Sequence, residues 1–257
     1  MSFNLILKKF QSLHPKYINL NLDRIMRLLS DLDNPHFKLP PTIHIAGTNG
    51  KGSTTAFLRS MLEIGGLKTH SYTSPHLVNF NERIRLNGKI ISDELLLDIL
   101  TEVDLVNKGK EITFFEITTA AAFLVFSRIE SDILLLEVGL GGRLDATNVI
   151  PKPLATIITN ISLDHEHFLG NTLNDIAYEK CGIIKPNCPV FTPIQDLDVI
   201  KVIEQTADKL NSPITILNER ILKRNPHTRK QSINFSNKSF EVPPPSLMGK
   251  HQLDNSA

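Results

Sequence analysis

The stretch from Thr42 to Ile64 constrains this chain more than any other. Pro40-Pro41 stops regular structure, and Thr42-Ile-His-Ile-Ala46 then reads as a short buried strand. Gly47-Thr-Asn-Gly-Lys-Gly-Ser53 follows directly. From Thr54 to Ile64, apolar residues fall at Phe57, Leu58, Met61, Leu62 and Ile64, close to helical spacing, and Gly65-Gly66 ends the run. Strand, glycine loop and helix in that order make a phosphate-binding loop. Gly47, Gly50 and Gly52 let the backbone turn its N–H groups inward. Lys51 sets a cation against the outer phosphates, and a helix starting near Ser53 adds the positive end of its dipole. The Ser53 hydroxyl is placed to ligate Mg2+ or a phosphate oxygen. The match to the general Gly-x-x-x-x-Gly-Lys-Ser/Thr pattern is partial, because Ile45 stands at the first glycine and Gly52 separates Lys51 from Ser53. A plain glycine-rich turn is the alternative, and the flanking strand and helix weigh against it.

The rest of the chain repeats the alternation. Helices are expected over Leu5 to Phe10, Leu22 to Leu32, Ser92 to Val106, Phe115 to Arg128, Thr172 to Cys181 and Val199 to Leu210. Strands are expected at Ile133 to Val138, Ala155 to Thr159, Pro189 to Thr192 and Pro213 to Leu217. Alternating strands and helices imply the α/β class: a P-loop NTPase-type, mostly parallel sheet with helices on both faces. Lys223 to Pro245 changes character and reads as a hairpin or loop. The last residues, from Gly249 to Ala257, look like the first turn of a helix. Residues 1–257 are therefore expected to form one nucleotide-binding domain, incomplete at its C-terminal end.

Lys plus Arg number 28 against 27 Asp plus Glu, so no global field draws in a nucleic acid or an anionic membrane. The first residues lack the basic start, apolar core and cleavage site of a signal peptide, and no apolar run reaches the roughly 18 residues of a spanning helix. Cytoplasm is the expected location. Cys181 and Cys188 lack metal-type spacing and read as unpaired thiols of a reducing compartment.

A triphosphate site needs an acid to hold Mg2+. Glu137 closes the apolar run Ile133-Leu-Leu-Leu136 and precedes Val138-Gly-Leu-Gly-Gly142, so its carboxylate emerges at a strand's carboxyl end, where open parallel sheets bind ligands. Glu137 leaving the core toward solvent is the plainer alternative. His165 sits in Leu163-Asp-His-Glu-His167, as suited to a solvated polar turn as to a metal. Lys180 taken alone reads as a surface lysine.

Five ordered segments then resemble the folylpolyglutamate synthase and dihydrofolate synthase family, relatives of the Mur ligases of peptidoglycan synthesis. They are Ile45 to Thr54; Thr73-Ser-Pro-His-Leu77 with Asn81-Glu-Arg-Ile84; Phe114 to Ala120; Leu136 to Asn148; and Ser162-Leu-Asp-His165 leading to Glu179-Lys-Cys-Gly-Ile-Ile-Lys185. The resemblance implies a Mur ligase central-domain-like fold, ATP bound by Gly47, Thr48, Asn49, Gly50, Lys51, Gly52, Ser53 and Asn255, and two Mg2+ sites with Ser74, Glu137 and His165 as ligands. It implies that Lys180 is carried as a carbamate, an anionic oxygen ligand suited to Mg2+, and that Lys51, Lys180 and His165 serve catalysis. The pteridine substrate's site is implied at Tyr17, Ile18, Asn19 and Leu20, at Thr113, Phe114, Phe115 and Glu116, and at Leu144, Asp145 and Ala146. The first of these segments departs from the family, which often has Gly where this chain has Asn21. The implied reaction is ATP-dependent amide synthesis through an acyl phosphate, joining L-glutamate to dihydropteroate or a folate. A C-terminal domain carrying the glutamate site is absent from the 257 residues, and a separately encoded one is the implied partner. Two other readings stay open: an inactive remnant that binds only ATP, and an unrelated P-loop hydrolase or kinase.

Overall fold

A computed structural model of the protein describes residues 3–13, 20–218, 221–225, 230–235, 238–249 and 251–256. The chain opens with α1 (Phe3–Ser12) and α2 (Asp23–Asp31), then β1 (Thr42–Ala46), α3 (Lys51–Ile64) and β2 (Thr69–Tyr72). A hairpin of β3 (Ile84–Leu86) and β4 (Lys89–Ile90) leads to α4 (Asp93–Asn107), α5 (Phe114–Arg128) and β5 (Ile133–Glu137). The second half runs β6 (Ala155–Ile158), α6 (Glu166–Leu169), α7 (Leu173–Cys181), β7 (Val190–Pro193), α8 (Leu197–Lys209) and β8 (Ile214–Leu217). Strands β9 (Leu222–Arg224), β10 (Gln231–Phe235) and β11 (Lys238–Val242) precede the short α9 (Gln252–Asn255).

Eight strands form one sheet in the order β4-β3-β2-β5-β1-β6-β7-β8, parallel from β2 to β8, with β3 and β4 antiparallel at the edge. The chain leaves β1 for β2 across β5 and leaves β5 for β6 across β1, so the carboxyl ends of β1, β5 and β6 flank the point where strand order reverses. That crevice is where sheets of this kind bind ligands. One face of β5 gives Leu134 and Leu136 to a core shared with Ile25 and Leu28 of α2, Leu100 of α4 and Phe123 of α5. Helix α3 lies against β5, β2 and β1. Farther along, α7 pairs with α8, and Ile176, Ile203, Ile158 and Val190 make a second apolar cluster. The stretch Lys223 to Pro245, read as a hairpin or loop, together with Leu222 carries a separate antiparallel sheet, β11-β10-β9.

Caps explain where helices begin. Ser92 accepts the Leu95 N–H and Thr172 accepts that of Asp175. Thr113 and Glu116 form a reciprocal capping box, which starts α5 at Phe114, one residue before the apolar pattern suggests. Gly50, at φ 91, lets α3 begin at Lys51 rather than near Ser53. The strand β2 gives no apolar signal: Thr69-His-Ser-Tyr72 is polar yet buried along its whole length. His70 Nε2 pairs with the Ile129 carbonyl, and the Tyr72 hydroxyl with Thr119. The β3–β4 turn does have a signal, Asn87-Gly88, both with positive φ as a tight hairpin demands.

His44 in β1 is fully buried and held neutral, its pKa pushed down to about 3 by burial and by the Lys185 charge. Burial also lowers His36 and His70. An unfolded chain binds a proton at His44 once the pH drops below 6.5, whereas the native chain refuses it until about 3. This contribution is complete above pH 6.5 and is lost as pH falls toward 3. Denaturant unfolding of H44Q is therefore expected to show a shallower loss of stability across that window than wild type.

Candidate nucleotide and ligand site

Gly47 leaves the carboxyl end of β1 at φ 151, and a Cβ there would lie 1.8 Å from Thr159 Oγ1. Only glycine fits between β1 and the residue that follows β6. The loop is then tied to the segment after β6. Thr48 and Asn49 donate their N–H groups to the Asn160 carbonyl at 2.8 and 3.2 Å. Thr48 Oγ1 donates to the Ser162 carbonyl and accepts the Ser162 N–H. The expectation that loop amides turn inward is thus corrected for Thr48 and Asn49, which brace the loop. The first turn of α3, at Lys51, Gly52 and Ser53, receives no side-chain cap, so its amides and dipole face the crevice.

Lys51 Nζ donates to the carbonyls of Gly47 and Thr48, at 3.0 and 3.2 Å. Lys180, at the end of α7, donates to the same Gly47 carbonyl at 2.9 Å. It is buried rather than on the surface, 4% exposed, and burial together with the Lys51 charge lowers its pKa to about 8. Asp164, beside His165, opposes that shift. Close packing sets Lys180 in place: a Cβ on Gly142 would lie 2.7 to 2.8 Å from the Glu179 and Lys180 carbonyls. Arg143 N donates to the Glu179 carbonyl, and the Arg143 guanidinium pairs with the Glu179 carboxylate.

Glu137 ends β5 without leaving the core; it is 3% exposed. Burial raises its carboxyl to about 7, against the lowering effects of Lys51 and of a hydrogen bond from the Ser74 backbone. Its Oε2 is buried with no partner, and lies 3.8 Å from where a Cβ would stand on Gly52 at the head of α3. An unpartnered carboxylate oxygen beside Lys51 and uncapped amides fits a divalent cation held next to phosphate. Ser74 and Glu137 are brought together. His165 is instead exposed, at φ 50 just before α6, with Asp164 at 3.6 Å. Among the described residues, no group of three His, Cys, Asp or Glu side chains converges as a ready-made metal cage.

Beside Ser74 opens a cleft of about 430 Å³. Leu20, Thr113, Phe115, Glu116, Leu144, Asp145 and Ala146, all expected at the substrate site, line it. Phe114 does not; its ring packs edge-on against Phe80. Tyr17, Ile18 and Asn19 lie outside the described residues. Arg24, also in the cleft wall, holds Glu116 by two hydrogen bonds of 2.9 and 3.0 Å, and Arg83 lines it while lying over the Phe80 ring. Arg24 carried no local signal, because its partner Glu116 lies 92 residues away, whereas Arg83 falls within the Asn81-Glu-Arg-Ile84 segment and pairs locally with His76. At the other end of the loop, Asn255 of α9 lies so near Gly50 that a Cβ there would be 2.4 Å from Asn255 Oδ1. Asn255, Asn49 and Asn160 share an opening of about 490 Å³ with His251. Cys181 and Cys188 are both free and buried. No helix among the described residues is long and apolar enough to cross a membrane.

Comparison with known proteins agrees with this geometry. The Mur ligase middle domain family matches residues 45–257. The dihydrofolate synthase/folylpolyglutamate synthase of Bacillus subtilis is 40% identical over 250 residues, covering 92% of this chain and 57% of its own length. The folylpolyglutamate synthase of Thermotoga maritima superposes with a TM-score of 0.85 at 36% identity, over 98% of this chain and 60% of that one. FolC of E. coli, solved in complex with DHPP and ADP, gives 0.89 at 28% identity, over 100% of this chain and 61% of that one. The chain thus spans about three-fifths of the length of these relatives. With its sheet order, its loop and these matches, the chain belongs to the Mur ligase family, on the branch of the dihydrofolate and folylpolyglutamate synthases.

Proposed function

We propose that this chain is the nucleotide- and pteroate-binding part of an ATP-dependent amide ligase that joins L-glutamate to dihydropteroate or a folate through an acyl phosphate. One observation carries the reading. Glu137 stands between the head of α3 on one side and Ser74, in the wall of the 430 Å³ cleft, on the other. A phosphate at the loop and a carboxylate at the end of a ligand in the cleft would therefore meet at this acid.

The parts follow from that placement. Lys51 would exchange its two carbonyl partners for phosphate oxygens, joining the amides of α3 in stabilising charge on the transferred group. Mg2+, when bound, would neutralise phosphate charge, with Ser74, Glu137, His165 and a carbamylated Lys180 as its ligands. Lys180 suits that modification: at a pKa of about 8 part of it is the neutral amine that adds to CO2. The carbamate also removes the repulsion between two cations sharing one carbonyl. Asn255 and His251 stand where a base would extend from phosphates at Gly50. Residues 1–257 would be the N-terminal ATP-binding part, working in the cytoplasm, and a second domain, in the same or a separate chain, would supply the glutamate site and exclude water.

Calorimetry tests the reading in two stages: Mg-ATP is expected to bind first, and dihydropteroate to bind the nucleotide-loaded chain, before a ligation assay with glutamate. ATP hydrolysis indifferent to dihydropteroate would point instead to a P-loop hydrolase, and nucleotide binding alone to a remnant. K51A should weaken Mg-ATP at least roughly tenfold, the loss of one charge-assisted contact, while leaving the melting temperature near wild type. Glu137 adds a metal-free prediction. Native Glu137 keeps a proton between pH 4.5 and about 7 that the unfolded chain has lost, so this stability is present at low pH and disappears as pH rises through 7. E137Q should melt higher than wild type near pH 8 without metal, and the difference should vanish near pH 4.

A further inference from the structure

His44 lies on β1, three residues before Gly47, and touches neither the loop nor the cleft surface; it is 0% exposed. Its Nε2 is 2.9 Å from Thr147 Oγ1, itself 2.5 Å from Asp145 Oδ1. Asp145 Oδ1 also accepts the Thr147 N–H at 2.9 Å, and Oδ2 accepts the Leu140 N–H at 2.8 Å. One carboxylate thus fastens the two ends of the segment 140–147 to each other. That segment is a wall of the 430 Å³ cleft, through Leu140, Leu144, Asp145 and Ala146.

The proton positions follow from what is missing. His44 Nδ1 is buried with no partner. A buried N–H without an acceptor costs more than a bare ring nitrogen, so the imidazole proton belongs on Nε2, where Thr147 Oγ1 accepts it. Thr147 then has its single hydroxyl proton free for Asp145. The titratable neighbours are Lys185 near His44, and Glu137, Lys180 and the neutral Tyr72 phenol within the field of Asp145.

We propose that Thr147, oriented by His44, is a positioning residue for the ligand cleft: the chain His44 Nε2–H to Thr147 to Asp145 locks the 140–147 wall against which the pterin-type ligand rests. This rests on the pteroate reading of the cleft. Thr147 itself is 0% exposed and meets no ligand. Its effect passes through Asp145. The same chain starts on the strand that feeds the nucleotide loop, so the loop and the cleft wall share one buried support.

Valine and serine separate the hydroxyl from the packing, since Thr147→Val keeps the volume and loses the donor, whereas Thr147→Ser keeps the donor and loses a methyl. Dihydropteroate would be titrated calorimetrically into wild type and both variants, with circular dichroism confirming the fold. Roughly tenfold weaker binding by T147V, with T147S within about threefold of wild type, is expected. T147V binding as wild type does, or T147S losing as much as T147V, overturns the proposal and leaves the pteroate reading intact. A wild-type chain that binds nucleotide but no dihydropteroate removes both. If T147V does not fold, long-range 1H–15N correlation on wild type decides: the neutral Nε2–H tautomer at His44 is expected, and the Nδ1–H tautomer overturns the relay.

Discussion

Gly47 can carry no side chain, because the position of its Cβ is already taken by the Thr159 hydroxyl. That close approach lets β1 and the segment after β6 run together at the crevice, and it turns the Gly47 carbonyl toward two lysines at once. Lys51 reaches it from the head of α3, and Lys180 from the end of α7, more than a hundred residues later. One carbonyl oxygen therefore sets the distance between the nucleotide loop and the second half of the fold. Gly142 and Gly182 extend the same logic, since a Cβ on either would strike the backbone or side chain of the facing segment.

Electrostatically the crevice concentrates unfavourable groups. Two cations share the Gly47 carbonyl, Glu137 is buried with an oxygen unpartnered, and the start of α3 is uncapped. Each of these is costly in a folded protein, and each would be relieved by a phosphate with a divalent cation. The perturbed groups sit together in the crevice, as they do where environment is used to prepare chemistry. Arg24 with Glu116, and Asp145 with its four donors, are by contrast fully paired, so the cleft wall is rigid where the phosphate end is poised.

Much of this was legible locally. The Thr42 to Ser53 run announces strand, loop and helix because phosphate binding needs glycines, a lysine and a helix start at adjacent positions. Ser92 and Thr172 open their expected helices for the same reason, since caps are local chemistry, whereas the Thr113 cap is missed because the apolar pattern begins at Phe115. What sequence hid is long-range. Nothing near Thr48 and Asn49 says that their amides serve Asn160, and β2 is buried through hydrogen bonds rather than apolar side chains. Lys180 alone reads as a surface lysine, and only tertiary packing buries it. The sequence pattern also could not tell that Phe114 turns to Phe80 while Phe115 faces the cleft. The separate sheet of β9 to β11 reads in sequence only as a hairpin or loop, because its strands are short and mixed in polarity.

The central claim is that the nucleotide loop and the cleft are two halves of one reaction site joined at Glu137. A crystal structure of the chain with Mg2+, a non-hydrolysable ATP analogue and dihydropteroate tests it most directly. The account predicts the terminal phosphate at the amides of Lys51, Gly52 and Ser53, a cation on Glu137, and the pteroate in the 430 Å³ cleft with its carboxylate turned to that phosphate. A nucleotide seated away from α3, or a pteroate whose carboxylate points away from Glu137, would contradict it.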